Sequence, residues 1–162
     1  MKKIIDNWLN PELVKFLEKN FSCERPHFFG QNSPGKNHTI KNSFYESELN
    51  PNEAMNKYLV YKLLQALKDN YSFKNFKLIR MYLNVQWPNM NGAFHKDDGN
   101  FTCIYMATKS RKENDGAFEI KGEEKIRFVQ NRLVCFEAQK MHRGLAPKKG
   151  IRITLAFKTK LS

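Results

Sequence analysis

From residue 76 onward the chain is a succession of short β-rich runs with no helical pattern between them, and no other feature limits its fold as strongly. The runs are Phe76–Gln86, Phe101–Ala107, Ala117–Ile120, Lys125–Val129, Arg132–Phe136 and Ile151–Lys160. Turn-forming clusters separate them: Asn91-Gly92, Asp98-Gly99, Asn114-Asp115-Gly116, Gly122 and Lys149-Gly150. Many short strands punctuated by turns predict an antiparallel sandwich or jelly roll.

Two helices are expected before this core. Asn10-Pro11-Glu12 combines a capping side chain, a proline at the first helical position and an acid in the first turn, and Leu13, Phe16 and Leu17 follow at helical spacing. The signal returns at Asn50-Pro51-Asn52-Glu53, and Ala54, Tyr58, Leu59, Tyr61, Leu64 and Leu67 carry it forward, which predicts a helix over roughly 51–70. The polar stretch between them, with Gly30, Ser33-Pro34-Gly35 and Asn37, reads as loop. The expectation is one domain over 1–162, mainly β, with a helical part over 1–75 and a jelly-roll core over 76–160.

With 41% hydrophobic and 13% aromatic residues the chain can form a packed core. It has no apolar run long enough to cross a bilayer, so no membrane role is expected. Met1-Lys2-Lys3-Ile4-Ile5 opens like an export signal, but Asp6, Asn7 and Asn10 interrupt it. Cys23, Cys103 and Cys135 are odd in number and lack metal-site spacing, which suits a reducing, cytoplasmic setting. The net charge of +12 would suit an anionic partner such as nucleic acid. The basic residues are scattered, however, and lysine, asparagine, isoleucine and phenylalanine are abundant together, as an AT-rich coding sequence would give.

The chemistry sits in three places. Phe94-His95-Lys96-Asp97-Asp98-Gly99 lies just before a strand. In extended chain, residues two apart point the same way, so His95 and Asp97 aim at one point while Lys96 and Asp98 turn away. Next comes Met141-His142-Arg143-Gly144. Two histidines and a carboxylate make the facial set that holds iron(II) and leaves positions open for O₂, although zinc accepts the same ligands. The third place is Arg152, on the strand run Ile151–Lys160. A core arginine is costly unless an anion pairs with it, and its planar fork suits a carboxylate. Thr154 shares its face and can add a hydroxyl. An acidic co-substrate is therefore expected beside the metal.

With His95-x-Asp97, His142 and Arg152-x-Thr154 in order, the chain resembles the Fe(II)/2-oxoglutarate-dependent dioxygenase superfamily over about residues 78–158. Within it, the likeness is to small prolyl-4-hydroxylase-like oxygenases of phage and marine bacteria. The resemblance implies a double-stranded β-helix, a cupin-like jelly roll. It implies iron on His95, Asp97 and His142, and the distal carboxylate of 2-oxoglutarate on Arg152 and Thr154. Tyr82 and Asn84 match positions that contact the co-substrate. Several relatives carry Asn-x-Tyr on that strand, where this chain has Asn84-Val85-Gln86. O₂ is the oxidant, and a protein or peptide side chain such as proline is the expected substrate. A nucleic-acid base is the second choice, and a catalytically inactive jelly-roll module the third. A zinc hydrolase would leave Arg152 unexplained.

Other residues receive plainer readings. His27 and His38 are expected as surface or local hydrogen-bonding groups, Trp87 in packing or at the substrate mouth, and the charged loop Thr108–Asp115 as a lid.

Overall fold

The computed structural model describes residues 1–23, 28–32, 43–71 and 75–162. Its elements in chain order are β1 (Lys2–Ile5), α1 (Pro11–Cys23), β2 (Phe28–Asn32), β3 (Ser43–Glu48), α2 (Ala54–Asn70), β4 (Phe76–Gln86), β5 (Phe101–Met106), β6 (Phe118–Ile120), β7 (Arg132–Glu137), β8 (His142–Gly144) and β9 (Arg152–Leu161). Seven strands form one antiparallel sheet in the order β1-β7-β5-β9-β4-β3-β2, and β6 with β8 forms a second. The architecture is a jelly roll with helices packed on one face.

Strict alternation along the central strands produces these layers. Met81, Leu83, Val85, Cys103, Tyr105, Leu133, Cys135, Ile153, Leu155 and Phe157 face one way, into a core shared with Leu17, Phe21, Leu59, Leu63 and Leu67 of the helices. Tyr82, Ile104, Met106, Val134, Phe136 and Ala156 face the other way and pack on Phe118, Ile120, Ile126 and Phe128. The large sheet is thus buried on both faces, and the space between the two sheets holds the functional groups. Cys103 and Cys135 are direct cross-strand partners, buried and free. Among the described residues, no helix is long and apolar enough to cross a membrane.

The first helix begins as expected, with Asn10 Oδ1 accepting from the Leu13 amide at 2.8 Å. The second begins three residues later than the expected 51. Asn50 spends its side chain on the Asn52 amide (3.0 Å), closing a turn over Pro51-Asn52-Glu53, and the helix starts only at Ala54. The region expected to be helical, 1–75, also supplies β1, β2 and β3. Gly30, read as loop, lies in β2, where the register shifts between Phe29 and Gln31 as a bulge does. Ser33, Pro34, Gly35, Asn37, His27 and His38 lie outside the described residues. The run Lys125–Val129 forms no strand of its own, since only Ile126 bridges to Phe118.

Candidate active site

His95 stands on an irregular segment that two backbone hydrogen bonds fasten to β8: His95 N to His142 O at 3.0 Å, and His142 N to His95 O at 2.9 Å. Asp97 N reaches Ala138 O at 3.0 Å. These bonds bring His95 and His142, 47 apart in sequence, side by side, so that side-chain donor atoms of His95, Asp97 and His142 all lie within 4.8 Å of one another. The rings of His95 and His142 are 4.4 Å apart, and Phe118 and Phe136 wall in His142. Lys96 and Asp98 are exposed, as alternation requires.

The second layer of contacts fixes which ring nitrogens face the centre. His95 Nδ1 lies 2.9 Å from Ala93 O, and His142 Nδ1 lies 2.8 Å from Lys140 O. A carbonyl oxygen only accepts, so each Nδ1 carries the proton and each Nε2 turns inward. His95 Nε2 is 3.8 Å from Asp97 Oδ1, and His142 Nε2 is 3.3 Å from Asp97 Oδ2. Burial pushes the Asp97 carboxyl up, but the neighbouring His142 ring, the Lys158 ammonium and the Thr102 hydroxyl outweigh this and hold it below the usual carboxylate range. Burial, reinforced by His142, presses His95 below the ordinary histidine value, which favours the neutral ring that a metal needs.

Arg152 lies at the other end of the same cavity. It is 2% exposed, and its Nε donates to Gly116 O at 2.8 Å and its Nη1 to Gln86 Oε1 at 2.5 Å. The Phe128 ring covers it at 5.1 Å. Burial first, then the Arg111 guanidinium nearby, depress its basicity, and a carboxylate beside it would relieve both. Gln86 is itself fixed, donating to Met90 O at 2.7 Å and Gly144 O at 3.2 Å. The cavity comprises about 460 Å³, part of it open to solvent. Tyr82, Asn84 and Thr154 line it together with His95, Asp97, His142 and Arg152. Asn84 Oδ1 is buried with no partner among the described residues.

These groups fit iron(II) and 2-oxoglutarate. Two imidazole nitrogens and one carboxylate suit a divalent first-row metal, and the guanidinium suits an acid's far end. The unpartnered Asn84 Oδ1 marks polar space between them. Every candidate site residue read from the sequence therefore borders one cavity. Two neighbours were not singled out there, Thr102 and Lys158, and Gln86 stood out only as a departure from Asn-x-Tyr. Gln86 orients Arg152, Thr102 Oγ1 donates to Asp97 Oδ2 at 2.7 Å, and Lys158 Nζ lies 3.0 Å from Asp97 Oδ1. Lys158 has the same parity as Arg152 and Thr154 on β9, and that alternation was the signal for it.

The expected lid and mouth residues lie elsewhere. No residue of the loop Thr108–Asp115 lines the cavity. Arg111 binds that loop to Lys149 O (2.9 Å) and Ile151 O (2.5 Å), at the Arg152 end of the site. Trp87 is 39% exposed and borders neither the core nor the cavity.

No family model matches the chain, and no curated protein matches it. Solved structures do. A viral collagen prolyl hydroxylase from Paramecium Bursaria Chlorella virus-1, as its 2OG complex, superposes with a TM-score of 0.72 at 13% identity, covering 99% of this chain and 96% of that one. A Pseudomonas putida prolyl-4-hydroxylase gives 0.72 at 15% identity, with 96% and 90% covered. A prolyl hydroxylase from Trichoplax adhaerens, in complex with a hypoxia inducible factor oxygen degradation domain peptide fragment, gives 0.71 at 14% identity, with 96% and 81% covered. The chain has the fold of the 2OG-Fe(II) oxygenases. Its divergence in sequence from these structures leaves function to be argued from the site.

Proposed function

We propose that this protein is an Fe(II)/2-oxoglutarate-dependent dioxygenase that hydroxylates a protein or peptide side chain, with proline the first candidate. One observation carries the reading. A His-Asp-His set and a buried arginine face each other across a single cavity, and a metal set alone would give no reason to bury Arg152. The likeness in fold to prolyl hydroxylases supports the peptide choice.

His95 Nε2, His142 Nε2 and an Asp97 carboxylate oxygen would hold the iron. When bound, iron(II) supplies O₂ activation coupled to decarboxylation of 2-oxoglutarate, with succinate, CO₂ and a hydroxylated substrate as products. The protein's own part is placement. The Ala93 and Lys140 carbonyls keep both Nδ1 protons out of the centre, and Thr102 orients the carboxylate. Arg152, steadied by Gln86 and Gly116 O, would hold the far carboxylate of the co-substrate with help from Thr154. Asn84 and Tyr82 would line the stretch between. Phe118, Phe136 and Ile104 keep water from the metal-facing wall.

The test is succinate formation from 2-oxoglutarate with iron(II) and O₂, with and without proline-containing peptides or methylated oligonucleotides. Slow turnover alone and stimulation by peptides are expected. No iron binding and no succinate would refute the enzyme reading, and stimulation by oligonucleotides alone would refute the peptide reading.

A further inference from the structure

β4 and β9, which supply Tyr82, Asn84, Gln86, Arg152 and Thr154 to the cavity wall, pair as a ladder, Gln86 with Arg152, Asn84 with Thr154, Tyr82 with Ala156 and, just beyond the cavity lining, Arg80 with Lys158. The first two rungs carry the groups assigned to the co-substrate. The last rung carries two cations. Both lie over the same ring, with the Arg80 guanidinium carbon 4.7 Å and Lys158 Nζ 5.5 Å from the Tyr82 centroid. Tyr82 points inward with the cavity residues, so both cations are on the site's side of the sheet. Each already binds a carboxylate: Lys158 Nζ is 3.0 Å from Asp97 Oδ1, and Arg80 Nε is 3.3 Å from Glu48 Oε1.

Charge balance gives this rung a purpose. In the free protein Asp97 offsets Lys158. A divalent metal on the triad takes over that carboxylate and adds two positive charges. Doubly charged 2-oxoglutarate cancels the metal, and Asp97 cancels only one of the two cations Arg152 and Lys158. Arg80 has Glu48. One positive charge is left over, and Lys158, the cation beside the ligand set, loses its partner to the metal. Its side chain is 14% exposed, so solvent compensates it only in part.

Building on the peptide reading, we infer that Lys158 and Arg80 form a substrate-anion site. They take a carboxylate on the peptide, from an aspartate or glutamate within one or two residues of the side chain that is oxidised. Extended chain advances about 3.3 Å per residue, and Lys158 touches a metal ligand, so the acid must lie close to the oxidised position. Two cations over one ring make a fork for a carboxylate, and either one alone would bind it more weakly.

The experiment compares proline peptides that differ only in Glu versus Gln, or Asp versus Asn, at flanking positions. Succinate release by the iron-loaded enzyme gives kcat/KM. Fluorescence anisotropy of the same peptides, labelled, gives their affinity for the metal-free protein and the nickel-loaded protein. The acidic peptides should be preferred roughly 10-fold or more in kcat/KM with iron, and in affinity with nickel and 2-oxoglutarate present. In affinity for the metal-free protein, where Asp97 still holds Lys158, the preference should be smaller. The Glu-to-Gln ratio should fall toward one in Arg80→Gln and further in Arg80→Gln/Lys158→Met. A ratio insensitive to charge, or one that survives in the double variant, overturns the inference and leaves the peptide reading standing. If no peptide of any charge stimulates turnover while substrate-free succinate formation persists, the peptide reading falls and the inference with it.

Discussion

Gly144→Ala tests the co-substrate end of the site without removing any functional group. Gly144 closes β8, two residues after His142, and its backbone does not require glycine's left-handed conformations. A methyl there would lie 2.9 Å from Gln86 Oε1, 3.0 Å from Arg152 Nη1 and 3.3 Å from Arg152 Cζ, where ordinary contact begins at 3.4 Å. These atoms are side-chain ends, but neither side chain is free to move. The Gln86–Arg152 bond is already 2.5 Å long, Gln86 Nε2 is tied to Met90 O and Gly144 O, and Arg152 Nε is tied to Gly116 O. The fork must therefore shift by some tenths of an ångström as a unit, away from the line on which it faces the metal set. Weakening one charge-assisted hydrogen bond costs about 1.5–3 kcal/mol, which corresponds to roughly 10- to 150-fold weaker 2-oxoglutarate. Metal affinity should hold within a few-fold, because His142 is oriented from Lys140 O on the far side. Titrating 2-oxoglutarate into the anaerobic Fe(II) protein and following the weak visible charge-transfer band gives both constants, and a thermal melt checks the fold. A folded variant that binds 2-oxoglutarate as tightly as the parent would show that the acid does not sit on Arg152.

Other substitutions separate the two ends further. Arg152→Ala should weaken 2-oxoglutarate by about 2–5 kcal/mol while iron still binds, read by the same titration. His95→Ala and His142→Ala should each abolish iron binding and turnover. His142→Ala should also lower the melting temperature more, since His142 is 3% exposed between Phe118 and Phe136 and its loss opens a cavity. Acidification should destabilise the metal-free protein from about pH 6.5 downward. The folded His95 pKa is depressed, so below the ordinary histidine value the unfolded chain binds more protons and gains on the folded one. Melting temperatures from about pH 8 to 5 would show the loss, and His95→Gln should flatten that part of the curve.

The constellation was readable from sequence because each part obeys a local rule. The spacing of His95 and Asp97 puts them on one face, and Arg152 and Thr154 share a face on a long strand, so their convergence on one cavity needed only the strand order. The central strands were readable for the same reason, since β4 was expected with its observed limits. The peripheral strands were not. β1 is only Lys2–Ile5, β2 contains a glycine at a bulge, and β3 reads Ser-Phe-Tyr-Glu-Ser-Glu, so none shows the apolar alternation that burial imposes. β8, three residues long, is held by its pairing with β6 and the bridge to His95, which no short window of sequence contains. Gln86, visible in the sequence only as a departure from Asn-x-Tyr, was not legible for a different reason. Its partner is the guanidinium 66 residues away, so the strand alone could not give it a role.

The two halves of the site rest on backbone of unequal persistence. Arg152, Thr154 and Lys158 ride on β9, which is paired on both sides, to β5 and to β4, and covered on both faces. Amide exchange through local opening should be slowest there. His95 and Asp97 sit outside any strand ladder, on a stretch fastened to His142 and Ala138 by three backbone bonds. As the protein warms toward unfolding, that stretch should fray first. The metal would then be shed while the arginine is still held in place, so fading activity on heating should be recoverable by cooling in the presence of fresh iron(II), up to the temperature at which β9 itself begins to exchange.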